Sequence, residues 1–266
     1  MLGELSDLTI QAMDQRARND INDFIPAVLK DEATGRPIQQ AAIHRSWQNH
    51  VSDAISRGKR AGVMAPFKHG KTPQLVVGRT LWYLGHNTRF RIKIVSNTDK
   101  TAMDRLASIS RYIETDPDYQ RIFPNVKPAM RESWSKHAII IDRPTFTAKD
   151  ASVEAFGILS SVMGGTCDIL IFDDPVDFRN AILSPAMRDS VIQAFKNQWI
   201  SRLIPGGKVI YTATAWHNQD LTMSELIGSP EWSFLIQSIS EDFGHIESRI
   251  VEGKTNAELD EIKEHD

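Results

Sequence analysis

Hydrophobic and polar positions along this 266-residue chain change their period several times, which predicts strands alternating with helices. Short apolar runs of strand length are separated by longer stretches in which apolar residues recur every three or four positions. Strands separated by helices favour a mainly parallel β-sheet covered on both faces, an α/β fold. The predicted strands are residues 62–65, 90–96, 138–141, 153–156, 168–172, 209–214 and 234–239.

The helical pattern begins before the first strand. Leu8, Ala12 and Met13 recur at helical spacing, and the pattern is interrupted at residues 35–37, where Gly and Pro occur. The predicted helices after that break are residues 39–56, 72–84, 99–113, 185–203 and 220–227, and residues 116–136 are predicted to be irregular. We therefore expect three parts. Residues 1–57 form an N-terminal helical segment, residues 58–240 form the core, and residues 241–266 form a charged C-terminal tail or linker.

The first predicted strand leads into the motif A-P-F-K-H-G-K-T at residues 65–72. A strand, a turn, G-K-T and a helix form the layout of a phosphate-binding loop, in which backbone N–H groups and the helix N-terminus hold phosphate oxygens. In this layout Lys71 reaches the β- and γ-phosphates, and the Thr72 hydroxyl binds Mg²⁺. Ala65 stands where the usual pattern has Gly. The residues expected to bind the nucleotide are Pro66, Phe67, Lys68, His69, Gly70, Lys71 and Thr72.

Two carboxylates follow the most apolar predicted strand, residues 168–172. A phosphate loop needs a carboxylate for Mg²⁺ at the end of a neighbouring buried strand, and Asp173 has that position. Asp174 is placed to polarise the attacking water. The alternative is that both are solvated charges at a strand end.

A third signal lies at the end of the strand at residues 209–214, which continues as A-W-H-N-Q-D. Hydroxyl groups at a strand end beside a nucleotide can hydrogen-bond the γ-phosphate or the attacking water, and Thr212 and Thr214 are the candidates. β-Branched residues that only pack the strand are the alternative for each.

Composition excludes several classes of protein. A net charge of −3 argues against a uniformly basic nucleic-acid binder, although the basic segments at residues 57–60 and 89–93 are possible phosphate contacts or simply solvated faces. The single cysteine, Cys167, excludes an intrachain disulfide and a Cys-cluster zinc site. No apolar run approaches the ~20 residues of a membrane span, so we expect a soluble, intracellular protein without a membrane partner.

Taken together, the motifs resemble the ATPase domain of the large terminase subunit of tailed bacteriophages. The similar segments are A-P-F-K-H-G-K-T, G-G-T-C-D-I-L-I-F-D-D-P-V-D and R-L-I-P-G-G-K-V-I-Y-T-A-T-A-W-H-N-Q-D-L, in the same order and spacing over residues 39–227. The resemblance implies a P-loop NTPase fold of the additional-strand (ASCE) type. It also implies ATP and Mg²⁺ as ligands.

By motif position, the resemblance implies that Lys71 and Thr72 bind the phosphates and Mg²⁺, and that Asp173 completes the metal site. Asp174 would be the catalytic carboxylate, a position that is commonly Glu in the family. Residues 212–214 would couple hydrolysis to movement, and Thr214 is expected among the catalytic residues. Such proteins form a homo-oligomeric ring at the capsid portal in the host cytoplasm and drive double-stranded viral DNA inward, with portal protein and a small terminase subunit as partners.

The chain departs from the family pattern at the loop. Many relatives have an arginine three residues before the second Gly of the loop, and here Phe67 stands there, followed by Lys68. Arg202, in the segment R-L-I-P-G-G, is our candidate for the missing arginine, either in the same chain or from a neighbouring subunit. The alternative interpretation is that Arg202 is an ordinary cation at a helix end, where it interacts with the helix dipole. Terminases read adenine with a Gln upstream of the loop, for which we favour Gln40.

Full-length relatives carry a second, nuclease domain, and too few residues follow Pro230 to form one. We therefore expect ATPase activity without nuclease activity. Two alternatives remain: a superfamily-2-like helicase or remodelling ATPase, and a phosphate-loop scaffold that binds DNA or proteins without hydrolysis.

Overall fold

The computed structural model describes residues 2–130, 132–144, 148–161, 164–239 and 246–253, which include one eight-stranded sheet. Its strands are β1 Arg60–Met64, β2 Ile92–Ser96, β3 Ala138–Ile139, β4 Val153–Gly157, β5 Cys167–Asp173, β6 Leu203–Ala213, β7 Trp232–Ile239 and β8 Ile246–Val251. Their order is β3-β4-β2-β5-β6-β1-β7-β8. The six strands from β4 to β7 in this order pair in parallel, and β3 and β8 add antiparallel edges. The predicted mainly parallel α/β fold is confirmed.

Helices flank this sheet and precede it. They are α1 Leu2–Asn19, α2 Ile21–Val28, α3 Ala42–Ser56, α4 Gly78–His86, α5 Asp99–Thr115, α6 Pro117–Ile122, α7 Phe178–Ala181 and α8 Pro185–Gln193. A π-helical turn, Thr72–Val77, leads directly into α4, and α8 continues through a second one, Ala194–Trp199, and a 3₁₀ turn, Ile200–Arg202. A third π-helical turn, Thr222–Leu226, follows β6. Helices α1, α2 and α3 lie before the first strand. No helix of the described residues is long and apolar enough to cross a membrane.

Both faces of the sheet are buried. Along β5, Ile169 and Ile171 belong to the hydrophobic cluster formed with the helices from α2 to α6. Leu170 and Phe172 belong to a second cluster on the opposite face, with Phe195 and Trp199. Central strands of a parallel sheet are buried on both sides, which explains why β5 is a continuous apolar run in the sequence.

The structure differs from the prediction in several elements, among them the following. Strand β6 begins at Leu203, six residues before the predicted start, and helix α6 lies within the segment 116–136 that was predicted to be irregular. Strand β8 lies within residues 241–266, which were interpreted as a charged tail or linker, and it pairs with β7. Residues 240–245 and 254–266 lie outside the described part of the chain.

Candidate functional site

The three predicted motifs meet at one edge of the sheet. Strands β1, β6 and β5 are neighbours in parallel, with Met64 opposite Ala213 and Thr212 opposite Asp173. The phosphate-loop motif follows β1, the two carboxylates end β5, and residue 214 follows β6. Ligands of open parallel sheets bind at the carboxyl ends of the strands. The structure therefore places the predicted motifs together where a ligand is expected.

The loop predicted to bind phosphate, residues 65–72, has two residues in the left-handed region of backbone conformation. Gly70 lies in the left-handed region with φ of 83°, which glycine adopts without steric cost. Lys68 is also left-handed, with φ of 64°, a conformation that costs a residue with a Cβ roughly 1–2 kcal/mol. The side chain of Phe67 is 65% exposed, and the Lys68 ammonium lies 6.0 Å from its ring centre. Strained backbone at a candidate site is consistent with a functional loop.

Two histidines hold this loop in place. The Nδ1 of His69 is 2.8 Å from the carbonyl oxygen of Phe67. From helix α3, the Nδ1 of His44 accepts a hydrogen bond from the Ala41 N–H at 3.1 Å, so its proton is on Nε2, which donates to the His69 carbonyl at 3.1 Å. Burial lowers the pKa of His44, which keeps this imidazole neutral. The two histidines thus fix the loop and are not placed as metal ligands.

Lys71 is almost fully buried at the base of the loop. Its ammonium donates hydrogen bonds to the carbonyl oxygens of Ala65 and Pro66 and to the Thr214 hydroxyl, the last at 2.8 Å. The carboxylate of Asp174 lies 3.8 Å away. Burial lowers the pKa of Lys71, and the neighbouring carboxylates act in the opposite direction. This ammonium is therefore directed into the site and linked to the end of β6.

Asp173 is 1% exposed and receives hydrogen bonds from three side chains. The Thr72 hydroxyl donates to Oδ1 at 2.8 Å, and the Thr212 hydroxyl lies 3.4 Å from the same oxygen. The Nε of Arg105, on helix α5, donates to Oδ2 at 2.7 Å. A hydroxyl beside a carboxylate is the hard oxygen donor set that Mg²⁺ takes, with water and phosphate oxygens completing its coordination. The Thr72–Asp173 pair fits the metal position that was predicted for it.

Asp174 is held in a conformation that is uncommon for a residue with a side chain. Its φ is 42°, and its N–H donates to the Thr212 carbonyl oxygen at 3.2 Å. The Thr214 hydroxyl donates to its Oδ1 at 3.3 Å. Burial raises the pKa of Asp174 to about 6, against the opposing effect of Lys71. A carboxylate with a pKa close to neutral is suited to accept a proton.

A cavity of about 520 Å³ opens in front of these residues. Its lining includes residues 67–73, Asp174 and Arg105. The apolar and aromatic residues of the lining outside the loop are Leu29, Ile38, Val77 and Tyr112, and the remaining lining residues, Lys30, Asp31, Glu32, Asp104 and Ser108, are polar. Ligand cavities of this size commonly combine an apolar wall with a few convergent polar groups. The cavity therefore has both cationic and apolar groups with which to contact a ligand.

Five of the predicted site residues are outside the lining of this cavity: Pro66, Asp173 and Thr214, which contact residues that line it, and Gln40 and Arg202. Gln40 is outside the cavity lining, and its Nε2 donates to the Oε1 of Gln74 at 3.2 Å. Arg202 precedes β6 at the opposite edge of the sheet, where its carbonyl oxygen accepts from the Cys167 thiol at 3.7 Å. Since β5 rises about 3.3 Å per residue, Arg202 lies roughly 20 Å from Asp173. The expectation that Arg202 acts within its own chain does not fit this placement, and action from a neighbouring subunit stays a prediction.

Sequence reasoning also missed residues that the structure places at the cavity. Arg105 and Tyr112 lie on helix α5, which was predicted as a helix but not assigned any role. Spacing on a helix shows which residues share a face, and it does not show which part of the sheet that face covers. Arg105 is one of several charged residues of α5, so its charge did not mark it in the sequence.

Comparison with known proteins supports the fold. No family model matches the chain, and no curated protein matches it. A search of solved structures finds the crystal structure of the HK97 bacteriophage large terminase, with a TM-score of 0.53 and 15% sequence identity. The match covers 77% of this chain and 39% of that chain, so this chain spans well under half the length of the terminase it matches. Over the matched residues, the chain has a fold similar to that of part of the HK97 bacteriophage large terminase.

Proposed function

We propose that this chain is a Mg²⁺-dependent ATPase, the motor domain of a viral terminase that drives double-stranded DNA into a capsid. The observation that supports it best is the convergence of Lys71, Thr72, Asp173, Asp174 and Thr214 at one sheet edge. The terminase-like fold supports the more specific assignment.

Each group has a defined part in hydrolysis under this proposal. The loop N–H groups and Lys71 hold the phosphates. Thr72 and Asp173 would hold Mg²⁺, which would neutralise negative charge on the phosphate oxygens when bound. Asp174 orients a water molecule whose oxygen forms a bond to the γ-phosphorus, while the bond from that phosphorus to the bridging oxygen breaks. The proton of the water passes to Asp174 and then to solvent, and the products are ADP and inorganic phosphate. Thr214 links Lys71 to Asp174 and is placed to respond to the loss of the γ-phosphate.

The proposed position of the base is beside the apolar and aromatic lining residues Leu29, Ile38 and Tyr112. Gln40 stays a prediction for adenine recognition. The proposed partners are double-stranded viral DNA, portal protein, a small terminase subunit and further copies of the chain in a ring in the host cytoplasm.

Phosphate release by purified variants tests the enzymatic part of the proposal. Lys71→Ala removes the buried ammonium, and we expect turnover of MgATP to fall at least about 100-fold because a preorganised charge at the reacting group is lost. Thr72→Ala should lower turnover and raise the Mg²⁺ concentration needed for half-maximal turnover, because one ligand of the metal is lost. Lys127→Ala, at an exposed position outside the cavity, is the matched control and should retain the wild-type rate.

Circular dichroism and thermal unfolding show whether each variant is folded. Unchanged turnover in folded Lys71→Ala would contradict the proposal. Nucleotide binding without phosphate release by the wild type, even with DNA added, would select the scaffold alternative, and strand separation would select the helicase alternative.

A further inference from the structure

The cavity contains a cation that the predicted motifs do not include. Helix α5 presents Asp104, Arg105, Ser108 and Tyr112 to it, opposite the phosphate loop. Arg105 is about one third exposed, and its Nε is 2.7 Å from the Oδ2 of Asp173. The other oxygen of this carboxylate accepts from Thr72. The Asp173 carboxylate therefore lies between the Arg105 guanidinium and the Thr72 hydroxyl.

The other cations considered for this role are placed less favourably. Lys68 is exposed, and its ammonium lies over the neighbouring Phe67 ring. Arg202 is at the far edge of the sheet. Among the described residues that line the cavity, Arg105 is the one arginine.

The ion pair with Asp173 also gives Arg105 a defined orientation. Asp173 is fixed by burial and by its hydrogen bonds from Thr72 and Thr212, so the side chain that pairs with it is held at a set position. A guanidinium bonded through Nε still has two terminal nitrogens that can donate to an anion. Preorganised donors of this kind stabilise charge that develops in a transition state.

We propose that Arg105 supplies, from the same chain, the positive charge that stabilises the transferring phosphoryl group. The inference rests on the proposed ATP hydrolysis and assigns the arginine that the phosphate loop lacks. It makes Arg105 a catalytic residue in contact with phosphate oxygens. An arginine with this role increases kcat by roughly 10³–10⁵-fold in other phosphate-loop enzymes.

Variants at three positions, Arg105, Arg111 and Lys68, test the assignment by phosphate release. Arg105→Gln should lower kcat at least about 1,000-fold. Arg105→Lys keeps a positive charge but loses the planar fork, and we expect kcat at least about tenfold below wild type. Arg111→Gln is the matched control, since Arg111 lies on the same helix, is exposed and bonds only a backbone carbonyl in the described structure, so its kcat should stay within about twofold. A wild-type rate in Arg105→Gln would overturn the proposal, as would a loss of kcat confined to Lys68→Gln. A wild-type rate in Arg105→Lys would show that the charge is sufficient and would contradict only the need for the planar fork.

Nucleotide binding distinguishes a catalytic role of Arg105 from a structural role in which Arg105 only holds the Asp173 carboxylate in position. Binding of ADP with Mg²⁺ should change less than about tenfold in Arg105→Gln, whereas the tighter binding of ADP with aluminium fluoride, which mimics the transferring phosphoryl group, should be lost. Equal loss of both would assign Arg105 to holding Asp173 and overturn the catalytic role. A wild-type protein without ATP turnover would contradict the proposed function itself, and this result can be distinguished from a loss of turnover in the Arg105 variants alone.

Mixing experiments test action within one chain. Lys71→Ala subunits retain Arg105 but have an impaired site, so adding them to Arg105→Gln subunits should not restore turnover. Recovery of activity in the mixture would show that Arg105 acts on a neighbouring subunit and would overturn the assignment to the same chain.

Discussion

His50 is a buried imidazole that supports the strand leading to the phosphate loop. It lies on α3 and is 6% exposed, and its Nε2 lies 3.1 Å from the Gly62 carbonyl oxygen and 3.0 Å from that of Ser233. Both partners are acceptors, so Nε2 carries the proton. Burial lowers the pKa of His50 from its ordinary value of 6.5. The folded protein therefore holds this side chain in its neutral form.

This environment predicts a loss of stability at mildly acidic pH. Below pH 6.5 the unfolded chain binds a proton at His50 that the folded chain resists, so the free energy of unfolding should fall by about 1 kcal/mol between pH 7.5 and 5.5. Urea unfolding at both pH values measures this. His50→Gln keeps the N–H donors without a titrating group and should reduce the pH dependence, whereas exposed His137→Gln should not. An identical pH dependence in His50→Gln and wild type would contradict the interpretation.

At the scale of single residues, the sequence predicted the side chains that lie at the end of a strand or in the loop that follows it. The positions of Lys71, Asp173 and Thr214 follow from parallel strands whose carboxyl ends share one edge. Arg105 could not be predicted in this way, because its contact with Asp173 depends on where helix α5 packs on the sheet. The residue predicted to supply the arginine, Arg202, follows a helix and precedes a strand, so it lies at the opposite edge.

The elements around β1 pack with little free space. Gly62 pairs with Phe234 on β7, and a Cβ built at Gly62 would lie 2.3–2.5 Å from atoms of the Phe234 ring. That ring is fully buried, so it has little freedom to move. A glycine within a strand often marks such a close approach. Here the glycine allows the strand that leads to the phosphate loop to lie beside β7.

Gly62→Ala is therefore expected to destabilise the protein by about 1–3 kcal/mol through overpacking. Chemical unfolding of Gly62→Ala, Phe234→Leu and the double variant measures the coupling between the two positions. The smaller side chain at 234 should relieve the added methyl group, so the double variant should be more stable than the sum of the single effects, by about 0.5–3 kcal/mol. Strict additivity, or a Gly62→Ala variant as stable as wild type, would argue against this contact.

Elements with a strong hydrophobic period could be predicted, and those formed by tertiary pairing could not. Strand β6 begins at Leu203, although Pro205 and Gly206 are typical turn residues, because Leu203 and Lys208 pair with Cys167 and Ile169 of β5 around a bulge. Strand β8 is polar for a strand and forms through main-chain pairing with β7. Local propensity predicts neither pairing.

At the scale of the whole molecule, the basic segments predicted as possible DNA contacts are largely occupied by ion pairs. Arg57 and Lys59 both contact Glu252, and Arg91 contacts Asp168 and Asp150. These pairs join the start of β1 to the end of β8, and β2 to β5. The sequence could not distinguish these structural roles from nucleic-acid contacts, because the partners are distant along the chain.

The motor proposal nevertheless predicts that DNA affects turnover. With a net charge of −3 and many basic groups paired internally, we expect DNA binding to be weak and to decrease as salt concentration rises. Stimulation of hydrolysis by double-stranded DNA should therefore be clearest at low ionic strength.

Steady-state phosphate release by the purified chain, measured at low salt with and without linear double-stranded DNA, tests the account most directly. We predict Mg²⁺-dependent ATP turnover that rises when DNA is added and that Lys71→Ala abolishes under both conditions. A folded wild-type protein that binds nucleotide but releases no phosphate, with or without DNA, would contradict the account.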